Sequence, residues 1–270
     1  MNKNPLEVQH LSPVDFRRSP FEKVILPLGS LESHGAHLPF GTDALTAHLL
    51  ALDIAARLPK TAVLPPMAYG VSEHYKDFPF TVSLQFETAI AFIRDILESV
   101  YREGIRKVFI MNGHDGNIAP IEVASRSAKV AHPDFRIVSL DAWWNMVGDL
   151  LPPDFFAVWK GLGHGGEGET SICLELFPEL CDASKAAGVV PQLPRYVDVK
   201  WKFNELTDTG SSGDPTKASR EKGKKMRETL VEALVEILTE LDRNGWDYRS
   251  SEVVKRQQAG GQRGGRRPAG

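Results

Sequence analysis

A chain of 270 residues is long enough to bury one large α/β core or two small ones. Its 42% apolar and 25% charged residues are ordinary for a globular protein, and a formal net charge of −3 supplies no overall pull towards nucleic acid or a membrane surface. The opening MNKNPLEVQHLSP lacks the apolar run of a secretory signal, no stretch approaches the roughly 20 apolar residues of a membrane span, and Cys173 and Cys181 alone make no disulfide framework, so a cytoplasmic protein is expected.

Lys23 to Leu28, KVILPL, is a short apolar run stopped by Gly29 and predicts a buried strand. Asp43 is placed to cap a following helix with apolar positions Leu45, Leu49, Leu50 and Ile54. Thr61 to Leu64 reads as a second strand, closed by Pro65-Pro66. Phe86, Ile90, Ile93, Leu97 and Val100 recur at helical spacing, with Gly104 as the stop. A third strand over Lys107 to Met111, a helix over Ile118 to Ala131 and a fourth strand over Phe135 to Leu140 follow. The last strong element is a helix from about Thr216 to Asn244 with the stripe Met226, Leu230, Leu234, Ile237 and Leu241.

This alternation predicts an α/β fold, a compact three-layer α/β/α arrangement on a mostly parallel sheet. No linker or repeat divides residues 1–250, which are taken as a single domain; residues 251–270 form a Gly/Arg-rich tail expected to be disordered. From Lys255 onward this tail carries five basic residues that could attract RNA, but a flexible tail is the reading adopted, and no nucleic-acid partner is expected.

Three clusters carry the chemistry. Glu32 to Asp43 packs two histidines and two carboxylates into a Gly- and Pro-containing loop after the first strand, where side chains can converge on one point. Carboxylate oxygen with imidazole nitrogen suits Zn²⁺, Mn²⁺ or Fe²⁺; a solvated surface loop is the competing reading. Met111 to Asn117 sets His114 between glycines after the third strand, where a hydrogen-bonded structural histidine is the alternative. Gly163 to Ser171 places His164, Glu167 and Glu169 among glycines before an apolar stretch, where the glutamates could merely complement a helix start.

Glu32, His34, Gly35, His37, Leu38, Pro39 and Asp43, then Tyr69, Gly70, Ser72 and His74, then Phe78-Pro79, then Asn112-Gly113-His114 with Asn117, then His164, Gly166, Glu169, Thr170 and Ser171, resemble the ordered motifs of the creatininase family of metal-dependent amidohydrolases. The resemblance spans roughly residues 20 to 245, its last part being Gly213-Asp214-Pro215 with the helix that follows. It implies an α/β/α fold, frequent assembly as a hexamer, and a site of two metals bridged by an aspartate and a water. On that basis Asp43 is the bridging ligand, Glu32 and His114 complete one metal, and His34 binds the other. Zinc is expected first, with manganese or iron as alternatives, one or two ions per chain.

The family's namesake carries a glutamate ligand where Gly116 stands here, so Glu169 is the candidate replacement. Asp115 stands in place of a tyrosine, Lys160 beside Trp159 in place of an aromatic residue, and Phe80 where many relatives have glycine. These departures argue against creatinine as substrate. His164 is read as the general acid, with Glu169 as the alternative proton donor. His37 is expected to orient a ligand, while Ser72, His74, Asp115, Trp143 and Trp144 are candidates for substrate contact or for support behind the ligands. The expected reaction is hydrolysis of a C–N amide bond in a small nitrogen-rich amide, cyclic amide or formamide by metal-activated water. A peptidase of cofactor maturation, a phosphoesterase and a non-catalytic metal-stabilised binding subunit are the competing readings.

Overall fold

Strand β1, Lys23–Leu28, is buried along its whole length, as an unbroken apolar run between two covered faces requires. In the computed structural model, which describes residues 4–19, 21–192, 194 and 199–247, β1 is a central strand of a four-stranded sheet. Its neighbours are β2 (Thr61–Val63) and β3 (Lys107–Asn112), and β4 (Arg136–Leu140) lies outside β3. All three pairings are parallel.

Alternate residues of these strands serve two cores. Ile25, Val63, Phe109 and Met111 pack with α2 (Thr42–Ala55), α5 (Trp143–Leu150), α6 (Glu167–Leu176) and α7 (Arg220–Arg243). Val24, Leu26, Leu28, Val108 and Ile110 pack with α3 (Phe86–Arg102) and α4 (Ile118–Ala131) on the other face. This is the three-layer arrangement expected from the alternation of strands and helices. A short helix, α1 (Pro13–Arg18), precedes β1 and is capped by Ser12. No described helix is long and apolar enough to cross a membrane, and Cys173 and Cys181 are both free.

Several boundaries differ from expectation for local reasons. Asp43 does not cap α2: Gly41 holds that place, and the Asp43 carboxylate accepts from Ser30 Oγ at 2.7 Å. The last helix begins at Arg220, because Asp214 and Pro215 form a separate turn and Ser219 caps α7 by accepting from Lys222 N. Leu238 is buried on α7 while Ile237 is only partly so, since a 3.6-residue period carries the apolar stripe round a long helix. The tail, 251–270, lies outside the described residues.

After β1 the chain goes to β2 on one side and returns to β3 on the other. The loops leaving β1 and β3 therefore part at their carboxyl ends, the crevice where open α/β sheets bind ligands.

Candidate metal centre

The β1 loop brings Glu32 and His34 to this crevice, the first turn of α2 brings Asp43, and the β3 loop brings His114. The turn before α6 adds His164, and α6 itself adds Glu169. Gly113 permits the approach: a Cβ there would lie 2.4 Å from the Asp43 carbonyl oxygen, so only glycine lets the β3 loop pack on the start of α2.

Three histidines share one arrangement. Nδ1 of His34 lies 3.2 Å from the Glu32 carbonyl oxygen, Nε2 of His114 2.8 Å from that of Val71, and Nε2 of His164 2.6 Å from that of Ser33. A carbonyl oxygen only accepts, so each of these nitrogens carries a ring proton and donates it. In the neutral ring the opposite nitrogen presents a lone pair, and in each case it faces carboxylates. His34 Nε2 is 2.9 Å from Asp43 Oδ1 and 3.8 Å from Glu169 Oε2. His114 Nδ1 is 3.1 Å from Asp43 Oδ2 and 3.3 Å from Glu32 Oε1. His164 Nδ1 is 3.6 Å from Glu32 Oε1.

Lone pairs facing buried carboxylates repel unless a cation, whether proton or metal, stands between them. Glu32 is fully buried, yet neither of its oxygens accepts an aligned hydrogen bond, and His34 Nε2 lacks one too. Buried polar atoms left this way are costly, and a divalent ion would satisfy all three. Among the described residues the donors form two sets that share Asp43: Glu32, Asp43 and His114, and His34, Asp43 and Glu169. A third set joins Glu32, His34 and His164. These oxygen and imidazole donors, with each ring anchored by a backbone carbonyl, fit zinc, manganese or iron(II).

Burial works against charge on His34, but Asp43, Glu169 and Glu32 outweigh it and lift its imidazole to about 10. Burial would raise the Asp43 carboxyl, yet His34 and His114 hold it well below the usual carboxylate range. Burial pushes Glu169 up to about 7 against the pull of His34. His164 moves the other way: burial and the charge of His34 push it down to about 3.

The other expected residues fall at different depths. His37 lies behind the ligand candidates, with Nε2 3.1 Å from the Gly165 carbonyl oxygen and 2.9 Å from Thr170 Oγ1. Gly165 N donates to Glu169 Oε2 at 2.6 Å, so His37 braces the turn that aims Glu169. Ser72 is buried behind His114, its Oγ 3.3 Å from Nε2, and does not line the cavity. His74, Asp115 and Trp144 do line a cavity of about 300 Å³ that reaches Asp43, His114, His164 and Glu169.

Trp143 does not line it. Trp143 is a core residue 5.8 Å from the Trp144 ring, because successive helical residues point about 100° apart and only one tryptophan of the pair can face the cavity. Tyr75, Trp201 and Phe203 are cavity walls that sequence reasoning missed; they come from segments with no regular pattern. Tyr75 stacks on His164 at 4.3 Å and His34 stacks on its other side at 4.0 Å, fixing the ring. Ser30 was also missed; the available signal was a serine beside Gly29 at the end of an expected strand, and the structure buries it against Asp43. A larger apolar cavity of about 500 Å³ between α1 and α3 shares no residue with this site.

Gly116 explains why a glutamate cannot stand at this position. A Cβ there would lie 2.0 Å from the Val71 carbonyl oxygen and 2.7 Å from His114 Nε2, the two partners that fix the His114 ring. Gly116→Ala is expected to destabilise the fold by about 1–3 kcal/mol and to weaken metal binding at His114. Urea unfolding and metal content in a buffered titration check both, and a variant equal to wild type in both would contradict the packing.

A parallel α/β/α fold with paired carboxylate and imidazole donor sets at the sheet's switch point defines a metallohydrolase-type site. The family model for creatininase, creatinine amidohydrolase, matches residues 10–238. The chain belongs to the creatininase family of metal-dependent amidohydrolases. The creatinine amidohydrolase of Pseudomonas putida is 31% identical over 233 residues, covering 80% of this chain and 88% of that one. The mycofactocin precursor peptide peptidase of Mycobacterium ulcerans is 29% identical over 230 residues, covering 80% and 84%. A solved structure of creatininase in a manganese form has a TM-score of 0.74 at 27% identity, covering 86% of this chain and 97% of that one.

Proposed function

We propose that this protein hydrolyses the C–N bond of a small, flat, nitrogen-rich amide, cyclic amide or formamide at a centre of two divalent ions that share Asp43. One observation carries the reading: two donor sets meet at Asp43, and both Asp43 and the candidate ligands His114 and Glu169 open onto the same cavity of about 300 Å³. That volume is at the small end of ligand sites. Tyr75, Trp144, Trp159, Trp201 and Phe203 line the cavity with aromatic side chains, a lining that suits a planar group. No Lys or Arg occurs among the described lining residues, which speaks against phosphorylated amides.

In this reading Glu32, Asp43 and His114 hold one ion and His34, Asp43 and Glu169 the other, with zinc first and manganese or iron(II) as substitutes. Ions held by these residues would supply hydroxide from water near neutral pH and polarise the amide carbonyl. The chain's own contribution is orientation and proton transfer. His164, clamped between His34 and Tyr75, keeps Nε2–H on the Ser33 carbonyl and Nδ1 towards Glu32 and the cavity. Held neutral by burial and the charge of His34, it would take up at Nδ1 the proton that the attacking water loses and pass it to the leaving nitrogen. Glu169 is the second proton carrier, and His37 is a positioning residue for it.

The experiment is turnover by the metal-loaded protein on a panel of lactams, cyclic ureides, formamides and short peptides. Release of amine, ammonia or formate from a small amide, abolished by chelation and restored by metal, is expected. Cleavage of peptides alone would move the protein to the peptidase reading, and turnover of a generic phosphate ester alone would overturn amide hydrolysis.

We also take residues 1–250 as one domain of a cytoplasmic homo-oligomer, a hexamer by family resemblance. Light scattering at micromolar concentration is expected to give six times the chain mass of 29.9 kDa; a monomer would refute assembly.

A further inference from the structure

We propose that Asp115 makes the cavity selective for substrates that carry a positive charge beside the scissile amide, as an amidinium, guanidinium or ammonium group. The proposal rests on the amidohydrolase reading of the same site.

Asp115 follows His114 and lines the cavity, yet it is exposed. It performs no visible structural task. α4 is entered through Asn117, the short turn Asp115–Asn117 starts after His114 with no side-chain cap, and no described Lys or Arg pairs with Asp115. His74 lines the same cavity, and burial holds its imidazole below its ordinary value, so it offers no charge to neutralise the carboxylate.

Trp144, Trp159 and Trp201 line the same cavity, as does Asn145. Indole faces carry negative potential and attract cations within about 6 Å of the ring centroid. A carboxylate and three indoles around one opening add in the same direction. Beside that carboxylate a flat cation gains both stacking and an ion pair, where a neutral isostere gains stacking only. The charge lies on Asp115 and is separate from the metal-ligand candidates, so it selects the substrate without serving the ions.

The test is isothermal calorimetry on zinc-loaded protein with benzamidinium and its neutral isostere benzamide. Benzamidinium is expected to bind wild type at least roughly tenfold more tightly than benzamide, the scale of one charge-assisted hydrogen bond. Asp115→Asn should remove most of that preference at unchanged zinc stoichiometry. Equal or weaker binding of benzamidinium by wild type would overturn the proposal without need of a variant, as would an undiminished preference in folded Asp115→Asn. Binding is read without turnover, so the two readings fail separately. A cation preference with no amide cleavage would sink the hydrolase alone, and amide cleavage with no preference would sink the role of Asp115 alone.

Discussion

Asp43→Ala is expected to leave a folded protein that no longer holds two metals and no longer turns over. Asp43 is the only residue common to both donor sets built around it, with Oδ1 2.9 Å from His34 Nε2 and Oδ2 3.1 Å from His114 Nδ1. Its removal leaves Glu32 and His114 on one side and His34 and Glu169 on the other without the carboxylate that spans them. Paired metal ions stabilise the attacking and leaving groups together, a contribution of several kcal/mol. A loss on the order of 10³-fold or more in kcat is therefore expected, with bound metal falling well below two per chain. Metal analysis and kinetics on protein of native circular dichroism check this, and undiminished turnover at full occupancy would remove Asp43 from the site.

Glu169→Gln separates two roles that one side chain combines. Glu169 Oε2 accepts from Gly165 N at 2.6 Å, which shapes the turn into α6, and lies 3.8 Å from His34 Nε2 in a candidate ligand set. Glutamine keeps an acceptor oxygen for Gly165 and loses the negative charge. If Glu169 served only the helix start, the cost would be about 0.3–1 kcal/mol of stability, with metal binding unchanged. As a ligand, its loss should weaken the second ion by more than the roughly tenfold that 1.4 kcal/mol represents and depress kcat, with little change in Tm at saturating metal. Zn²⁺ or Mn²⁺ titration in metal buffers distinguishes these outcomes, and two equally tight ions in the variant would exclude Glu169 as a ligand.

Much of the scaffold was legible because its signals are local. β1 is an unbroken apolar run between a lysine and a glycine, and α4 keeps the limits Ile118–Ala131 that its sequence suggested. The clusters around His34, His114 and His164 were conspicuous for a related reason. Each follows a strand or precedes a helix at the same end of a parallel sheet, so short loops bring distant positions together.

What escaped depended on tertiary placement. α5 is only eight residues long, and nothing in the pair Trp143-Trp144 tells which ring the core takes. Trp201 and Phe203 reach the cavity from a stretch without helical or strand period, so no pattern marked them as walls. Asp43 read both as a helix cap and, by resemblance, as a ligand, because caps and ligands use the same residue types; the hydroxyl of Ser30 and two imidazoles, rather than a backbone N–H, decide its orientation. Gly116 looked like a missing ligand, whereas the Val71 carbonyl oxygen fills the space a side chain would need.

Anomalous diffraction from crystals of the manganese-loaded protein, collected on both sides of the metal edge, tests the dinuclear centre most directly. Two peaks are predicted, one among Glu32, Asp43 and His114 and the other among His34, Asp43 and Glu169, with the Asp43 carboxylate between them. A single peak in contact with only one of these sets, or ions bound away from Asp43, would contradict it.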